Sequence, residues 1–286
     1  YGIGTFGKHA YDFVDFLKKG GQKYWQILPL GQTSYGDSPY QCFSAFAGNP
    51  YFIDFELLED DGLLSKSDYE DLDYGSKEDS IDYSKLFINK NKVLRIAYNK
   101  SKGKYDKEIK NFKKENSAWL EDYALYMSVK QHFNLVSWHN WDDDIRLRKK
   151  SAIKKYKSLL EDEVNYWIFI QYIFFKQWNR LKKYANENKI KIIGDIPIYV
   201  AEDSADIWSN PKYFNLDKNM KPITVAGCPP DTFSATGQLW GNPIYNWVAL
   251  EKDGYQWWID RVKESFKIYD VVRIDHFRGF ESYWEV

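Results

Sequence analysis

Apolar positions recur at helical spacing over 8–19, where Tyr11, Val14 and Leu17 share one face and Gly20-Gly21 follow as a C-terminal stop. The next run, Tyr24-Trp25-Gln26-Ile27-Leu28-Pro29-Leu30, is short and mostly apolar, the pattern of a buried strand. A loop punctuated by Gly and Pro, from Gly31 to Pro50, leads to the run 51–55, which reads as a second strand. Residues 59–117 are rich in Lys, Asp, Glu and Ser and lack long apolar runs, which predicts an inserted, helical, mostly solvated subdomain. Helices are predicted over 118–133 and 161–187. In the second, Val164, Ile168, Tyr172, Phe175, Trp178 and Leu181 mark one buried face. Residues 191–198 read as a third strand that Pro197 should end. A long irregular stretch covers 201–245, then a helix near 255–266 feeds a fourth strand at 270–275.

Strands alternating with helical segments predict an α/β fold with a parallel sheet. Polar residues stand just after strands, at Asp195 and at Asp275-His276, the side on which α/β barrels build active sites. A doubly wound sheet would alternate in the same way, but there is no GxGxxG turn after the first strand and no GxxxxGK[ST]. Nucleotide binding is disfavoured.

Charge narrows the partners. Forty Lys plus Arg against 41 Asp plus Glu leave a net charge of -1, with no basic excess to attract nucleic acid or acidic lipid. The most apolar run, 164–178, is interrupted by Asn165, Gln171, Lys176 and Gln177, so it reads as a buried helix rather than a bilayer span of about 20 apolar residues. No membrane contact is expected. Cys42 and Cys228 form no CxxC pair, which favours a reducing cytoplasm. The chain opens at Tyr1 without a signal-peptide pattern or an initiator Met, so its natural start is expected upstream. Twelve Trp, 23 Tyr and 18 Phe suit sugar stacking, yet they suit core packing equally.

The chemistry concentrates in 271–280. Residues two apart on a strand share a face, so Arg273 and Asp275 should project together while Val272 and Ile274 pack. A guanidinium favours the ionised form of a neighbouring carboxylate. A glycosidase nucleophile needs that form to attack an anomeric carbon. His276, at the strand end, could donate to a substrate hydroxyl. Taken alone, however, a strand-terminal Arg-x-Asp is more often a structural ion pair. The Asp142-Asp143-Asp144 run reads as a solvated helix start, and the four histidines form no HxxxH pair, so no metal site is expected.

Four separated segments add a resemblance. They are Asp37-Ser38-Pro39-Tyr40-Gln41 with 44–50; Gly194-Asp195-Ile196-Pro197-Ile198-Tyr199-Val200; Pro229-Pro230-Asp231 with Gly237-Gln238-Leu239-Trp240-Gly241-Asn242-Pro243; and Arg273-Ile274-Asp275-His276-Phe277-Arg278-Gly279. A further stretch, Ser137-Trp138-His139-Asn140-Trp141 with Arg146 and Arg148, fits the same pattern. In this order they resemble the 4-α-glucanotransferases of glycoside hydrolase family 77, also called amylomaltases or disproportionating enzymes.

The resemblance implies a TIM-type (β/α)8 barrel of the α-amylase superfamily with inserted helical subdomains, of which this chain would hold strands 1–4. Residues 1–58 would start the barrel, 59–160 form the insertion, and 161–286 continue the barrel, with 201–245 covering the substrate. It implies a retaining double displacement on maltooligosaccharides and α-1,4-glucans, without cofactor. Asp275 would be the nucleophile, ending the fourth strand, and Arg273 its charge partner. His276 and Tyr40 would contact the sugar just before the scissile bond, and Asp195 would end the third strand beneath the site. Gln238 and Trp240 would lie on the covering loop with Asp231 at its base, and Ser38 would join the substrate-binding set.

The family's acid/base Glu would follow a fifth strand and a further Asp a seventh, both beyond Val286. Glu281 and Glu285 fall in the wrong place for that acid. The segment is therefore expected to be partial and inactive by itself. An α-amylase-type hydrolase and a non-catalytic α-glucan-binding protein are the alternatives.

Overall fold

The computed structural model describes residues 2–34, 36–75, 77, 79–232 and 234–286. Helix α1 (Lys8–Lys19) ends where the periodicity said it would: Gly20 N donates to Phe16 O at 2.9 Å, and Lys18 and Lys19 face the negative end of the helix dipole. Strand β1 (Tyr24–Gln26) is shorter and less buried than expected, with Tyr24 53% and Leu28 60% exposed. It lies at a sheet edge, so one side lacks a neighbour.

The run 51–55 is not a strand. Asn49 Oδ1 accepts from Tyr51 N at 3.0 Å and Pro50 opens a 3-10 turn, Pro50–Phe52. Asp54 then caps helix α2 (Phe55–Asp60), accepting from Leu57 N at 3.0 Å. Asn-Pro and Asp cap signals outweigh the apolar run, while Ile53 and Phe55 are fully buried in the core.

The charged stretch after α2 is helical, and helices continue past it: α3 (Tyr83–Ser101), α4 (Asp106–Glu115) and α5 (Leu120–His132). It is less solvated than its composition suggests. Leu86, Val93, Leu94 and Ala97 are fully buried, and so is Lys90, whose Nζ donates to Tyr51 O (2.6 Å) and Ile53 O (3.1 Å). Burial pulls its ammonium down to about 7.

Two short helices, α6 (Asp143–Arg146) and α7 (Lys150–Leu159), precede α8 (Glu161–Glu187). The middle of α8 is buried all round rather than along one stripe: Trp167, Phe169, Ile170, Ile173 and Phe174 are as enclosed as the predicted face. It packs against α1, α3, α4, α5, α7 and residues that follow it, which explains the enclosure. Two of its polar interruptions have partners in the core. Gln171 bonds both Gly48 N (2.8 Å) and Gly48 O (2.9 Å), and Gln177 does the same at Asp54 N (2.8 Å) and Asp54 O (3.0 Å). Each amide replaces a missing peptide partner in the core.

Strand β2 (Lys191–Pro197) follows, then α9 (Ala205–Ser209), β3 (Val225–Cys228), β4 (Gln238–Pro243), α10 (Trp247–Lys252), α11 (Gln256–Ile268), β5 (Val271–Asp275) and β6 (Trp284–Glu285). The stretch 201–245 therefore contains a β-hairpin that its Gly and Pro content concealed. Strands β1, β2 and β5 form a parallel sheet with β2 central, pairing Trp25 with Ile192, Asp195 with Arg273 and Pro197 with Asp275. Among the described residues this sheet has three strands where four were expected, because 51–55 closes a 3-10 turn and caps α2 instead of pairing. Strands β4-β3-β6 form a second, antiparallel sheet. The architecture is mixed α/β, and the described sheets do not close into a barrel. Among the described residues no helix is long and apolar enough to cross a membrane.

Candidate active site

Parallel pairing of β2 with β5 sets Asp195 opposite Arg273, so the two carboxyl-terminal strand ends deliver their polar residues to one place. Arg273 bridges two carboxylates: one terminal nitrogen meets Asp195 Oδ2 at 2.5 Å, the other Asp275 Oδ1 at 2.7 Å. The guanidinium is accordingly shifted upward, first by the charge of Asp195 and also by that of Asp275, and stays protonated. Tyr40 completes the cluster by donating its hydroxyl to Asp195 Oδ2 at 2.8 Å. Burial, then this bond, raises the phenol above its ordinary range, so it remains a donor.

The two carboxylates differ. The Asp195 side chain is 3% exposed and lies beneath the arginine; that of Asp275 is 41% exposed. One oxygen of Asp275 is held by Arg273, and the other has no hydrogen-bond partner among the described residues. A carboxylate oriented through one oxygen and open at the other suits attack on an electrophilic carbon.

His276 follows in a left-handed conformation, φ 54°, which turns its ring away from the strand line. That ring meets the Trp240 ring edge-on, centroids 4.9 Å apart, and lies 6.4 Å from Tyr199. Three buried polar atoms here have no protein partner among the described residues: Asp195 Oδ1, Tyr199 hydroxyl and His276 Nε2. Unsatisfied buried polar groups are uncommon in native folds.

The hairpin carries the other candidates. Trp240 Nε1 donates to Gln238 Oε1 at 3.0 Å, which ties the two together on β4. Asp231 sits in the loop that connects β3 to β4, where its Oδ1 accepts from Ser234 N at 2.8 Å. Ser38 acts on the turn: its Oγ accepts from Tyr40 N at 3.3 Å and its carbonyl from Gln41 N at 3.0 Å. Thus Tyr40, Asp195, Arg273, Asp275, His276 and Trp240 are linked by contacts, Ser38 and Gln238 join them through Tyr40 and Trp240, and Asp231 lies on the connecting loop of the hairpin.

Sequence reasoning missed Tyr199, Gln41 and Asn242, although each stands inside a quoted segment. It also missed Arg261 on α11, which donates to Ile198 O at 2.9 Å and to Pro197 O, bracing the exit from β2. A buried arginine on an amphipathic helix gives no sequence sign of its partner. Among the described residues no group of three His, Cys, Asp or Glu side chains could hold a metal ion, and both cysteines are free.

Comparison with known proteins adds the context. A family model described as 4-alpha-glucanotransferase, glycoside hydrolase family 77, matches residues 1–286. A 4-alpha-glucanotransferase of Clostridium butyricum is 60% identical over 287 residues, covering 100% of this chain and 59% of that protein. One from Thermus thermophilus is 46% identical, covering 100% and 57%. This chain thus spans well under two thirds of the length of these relatives. The structure of amylomaltase from Streptococcus agalactiae in complex with acarbose superposes with a TM-score of 0.97 at 46% identity, covering 100% of this chain and 58% of that one. Amylomaltase from Corynebacterium glutamicum shares the fold at a TM-score of 0.77 and 19% identity.

Proposed function

Because the chain belongs to the 4-alpha-glucanotransferases of glycoside hydrolase family 77, we propose that the protein transfers α-1,4-glucan segments between maltooligosaccharides by double displacement through Asp275. The observation that carries this reading is the half-free, half-anchored Asp275 carboxylate: Arg273 holds one oxygen while the other faces solvent. Asp275 attacks the anomeric carbon, and the bond to the leaving glycosyl oxygen breaks as that oxygen takes a proton from an acid. The resulting glycosyl-enzyme is then attacked by the 4-hydroxyl of an acceptor, whose proton returns to the same group.

Tyr40 and His276 bind the sugar bonded to Asp275, with Tyr40 oriented by Asp195. Trp240 and Gln238, on the hairpin, cover the donor and exclude water, with Asp231 and Ser38 at the margins. We assign the parallel strands to an arc of a TIM-type barrel, with 59–160 as its insertion. No carboxyl group other than Asp195 and Asp275 joins this cluster among the described residues, and Asp195 is occupied by Arg273 and Tyr40. The 286-residue chain by itself is therefore expected to bind glucan without turning it over.

Incubation of the complete protein with maltotriose decides the matter. Glucose together with longer oligomers is expected, and Asp275→Asn should lower that activity by at least about 10⁴-fold. Release of hydrolysis products alone would replace the transferase with an α-amylase-type hydrolase. Binding without any turnover would leave a glucan-binding protein.

A further inference from the structure

Two of the motif segments contain amide side chains that no step above uses, Gln41 and Asn242, 201 residues apart. They face each other. Gln41 Nε2 donates to Asn242 Oδ1 at 3.0 Å and to the Trp240 carbonyl at 3.2 Å. Asn242 Nδ2 donates back to Gln41 Oε1 at 3.3 Å and onward to Val200 O at 2.9 Å. The main-chain acceptors at Trp240 and Val200 fix the sense of both amides, because turning either one over would set carbonyl against carbonyl. Asn242 is buried, so this network has little access to water and each bond counts. Gly241, between Trp240 and Asn242, has φ +77°, a conformation costly for other residues. It lets the Trp240 carbonyl and the Asn242 side chain reach the same partner.

These bonds close a ring around the nucleophile. Tyr40 bonds Asp195, Asp195 and Asp275 share Arg273, His276 follows Asp275 and meets Trp240, and the Gln41 pair returns to Tyr40. Among the described residues no hydrogen bond other than those of these two amides joins the hairpin to the Tyr40 turn, so without the pair the hairpin would reach it through the Trp240–His276 ring contact.

We propose that Gln41 and Asn242 are positioning residues whose reciprocal amide pair locks the Trp240 strand onto the Tyr40 turn, and so sets how the glycosyl-enzyme divides between an acceptor sugar and water. The claim about partition rests on the transferase reading above; the claim about the strand does not. Gln41→Leu keeps much of the volume and removes both donor and acceptor. Gln41→Glu keeps the shape, but its ionised form cannot donate to the Trp240 carbonyl, whereas the protonated form can.

The test uses the complete protein. In Gln41→Leu, hydrogen exchange of the 238–242 amides should quicken, and the ratio of hydrolysis to transfer on maltotriose should rise about tenfold, the scale of one lost buried hydrogen bond. In Gln41→Glu that ratio should move back toward the wild-type value as pH falls from about 6 to about 4, through the ordinary glutamic-acid range, a response that a generic packing defect would not give. Unchanged exchange at 238–242 overturns the lock whatever the catalysis shows. Faster exchange with an unaltered partition, or with no recovery in Gln41→Glu at low pH, overturns the catalytic role. If the wild-type protein performs no transfer, the transferase reading and the partition claim fail together, and the exchange measurement still decides the lock.

Discussion

Tyr40 and Asp195 lie 155 residues apart and share a hydrogen bond of 2.8 Å whose acceptor oxygen also receives Arg273. A loop tyrosine is thereby referenced to the same buried carboxylate that orients the arginine beside Asp275. The position of the Tyr40 ring and the charge around Asp275 thus depend on one oxygen atom. Preorganisation of this kind places its cost in folding rather than in the reaction.

Removing the hydroxyl should therefore cost more than a surface bond. In the complete protein, Tyr40→Phe is expected to lower kcat/KM for maltotriose disproportionation about tenfold, and Tyr40→Ala considerably further because the ring is lost too. Asp195→Asn should also lower it, and Tyr40→Phe combined with Asp195→Asn should lose less than the two separate losses together, since both act through one bond. Strictly independent effects in a double-mutant cycle would contradict this coupling.

Asp206 sits in the core, its Oδ2 accepting from Ala45 N at 2.7 Å near Arg261 and Cys42. Burial pushes its carboxyl up to about 6, although the Ala45 bond and Arg261 act in the other direction. A raised carboxyl pKa means that the folded state holds the proton more tightly than the unfolded one. Its contribution to stability is thus present below pH ~4 and is lost as pH rises toward ~6, by roughly 3 kcal/mol at most. Asp206→Asn keeps the acceptor for Ala45 N. Denaturant unfolding at several pH values should show a smaller fall in stability between pH ~4 and ~6 than in wild type. Equal slopes would show that Asp206 ionises normally.

Gly194 tests the packing beneath the site. A Cβ added there would stand 2.1 Å from the Tyr269 ring, too close for any relaxed contact. Gly194→Ala is expected to destabilise by about 3 kcal/mol through overpacking. Thermal unfolding should show that loss, and combining it with Tyr269→Leu should recover part of it. No recovery would mean that the strain arises elsewhere.

The sequence alone determined the elements that local spacing can write. Helix α1 and helix α8 begin and end where periodicity and punctuation set them, β2 stops at Pro197, and Arg273 and Asp275 share a face of β5 because strand side chains alternate. Tertiary structure decided the rest. The apolar run at 51–55 became a 3-10 turn and the start of α2 because Asn49 and Asp54 capped those two turns and its side chains found the core; Lys90 left the solvent for two carbonyls 39 and 37 residues away. The ring around Asp275 joins a turn, two strands and a hairpin through contacts as far apart in sequence as 78 to 201 residues, closed by the Trp240–His276 contact 36 residues apart. Such partners are chosen when distant segments pack, and no local period encodes which polar groups will meet once water is excluded between them.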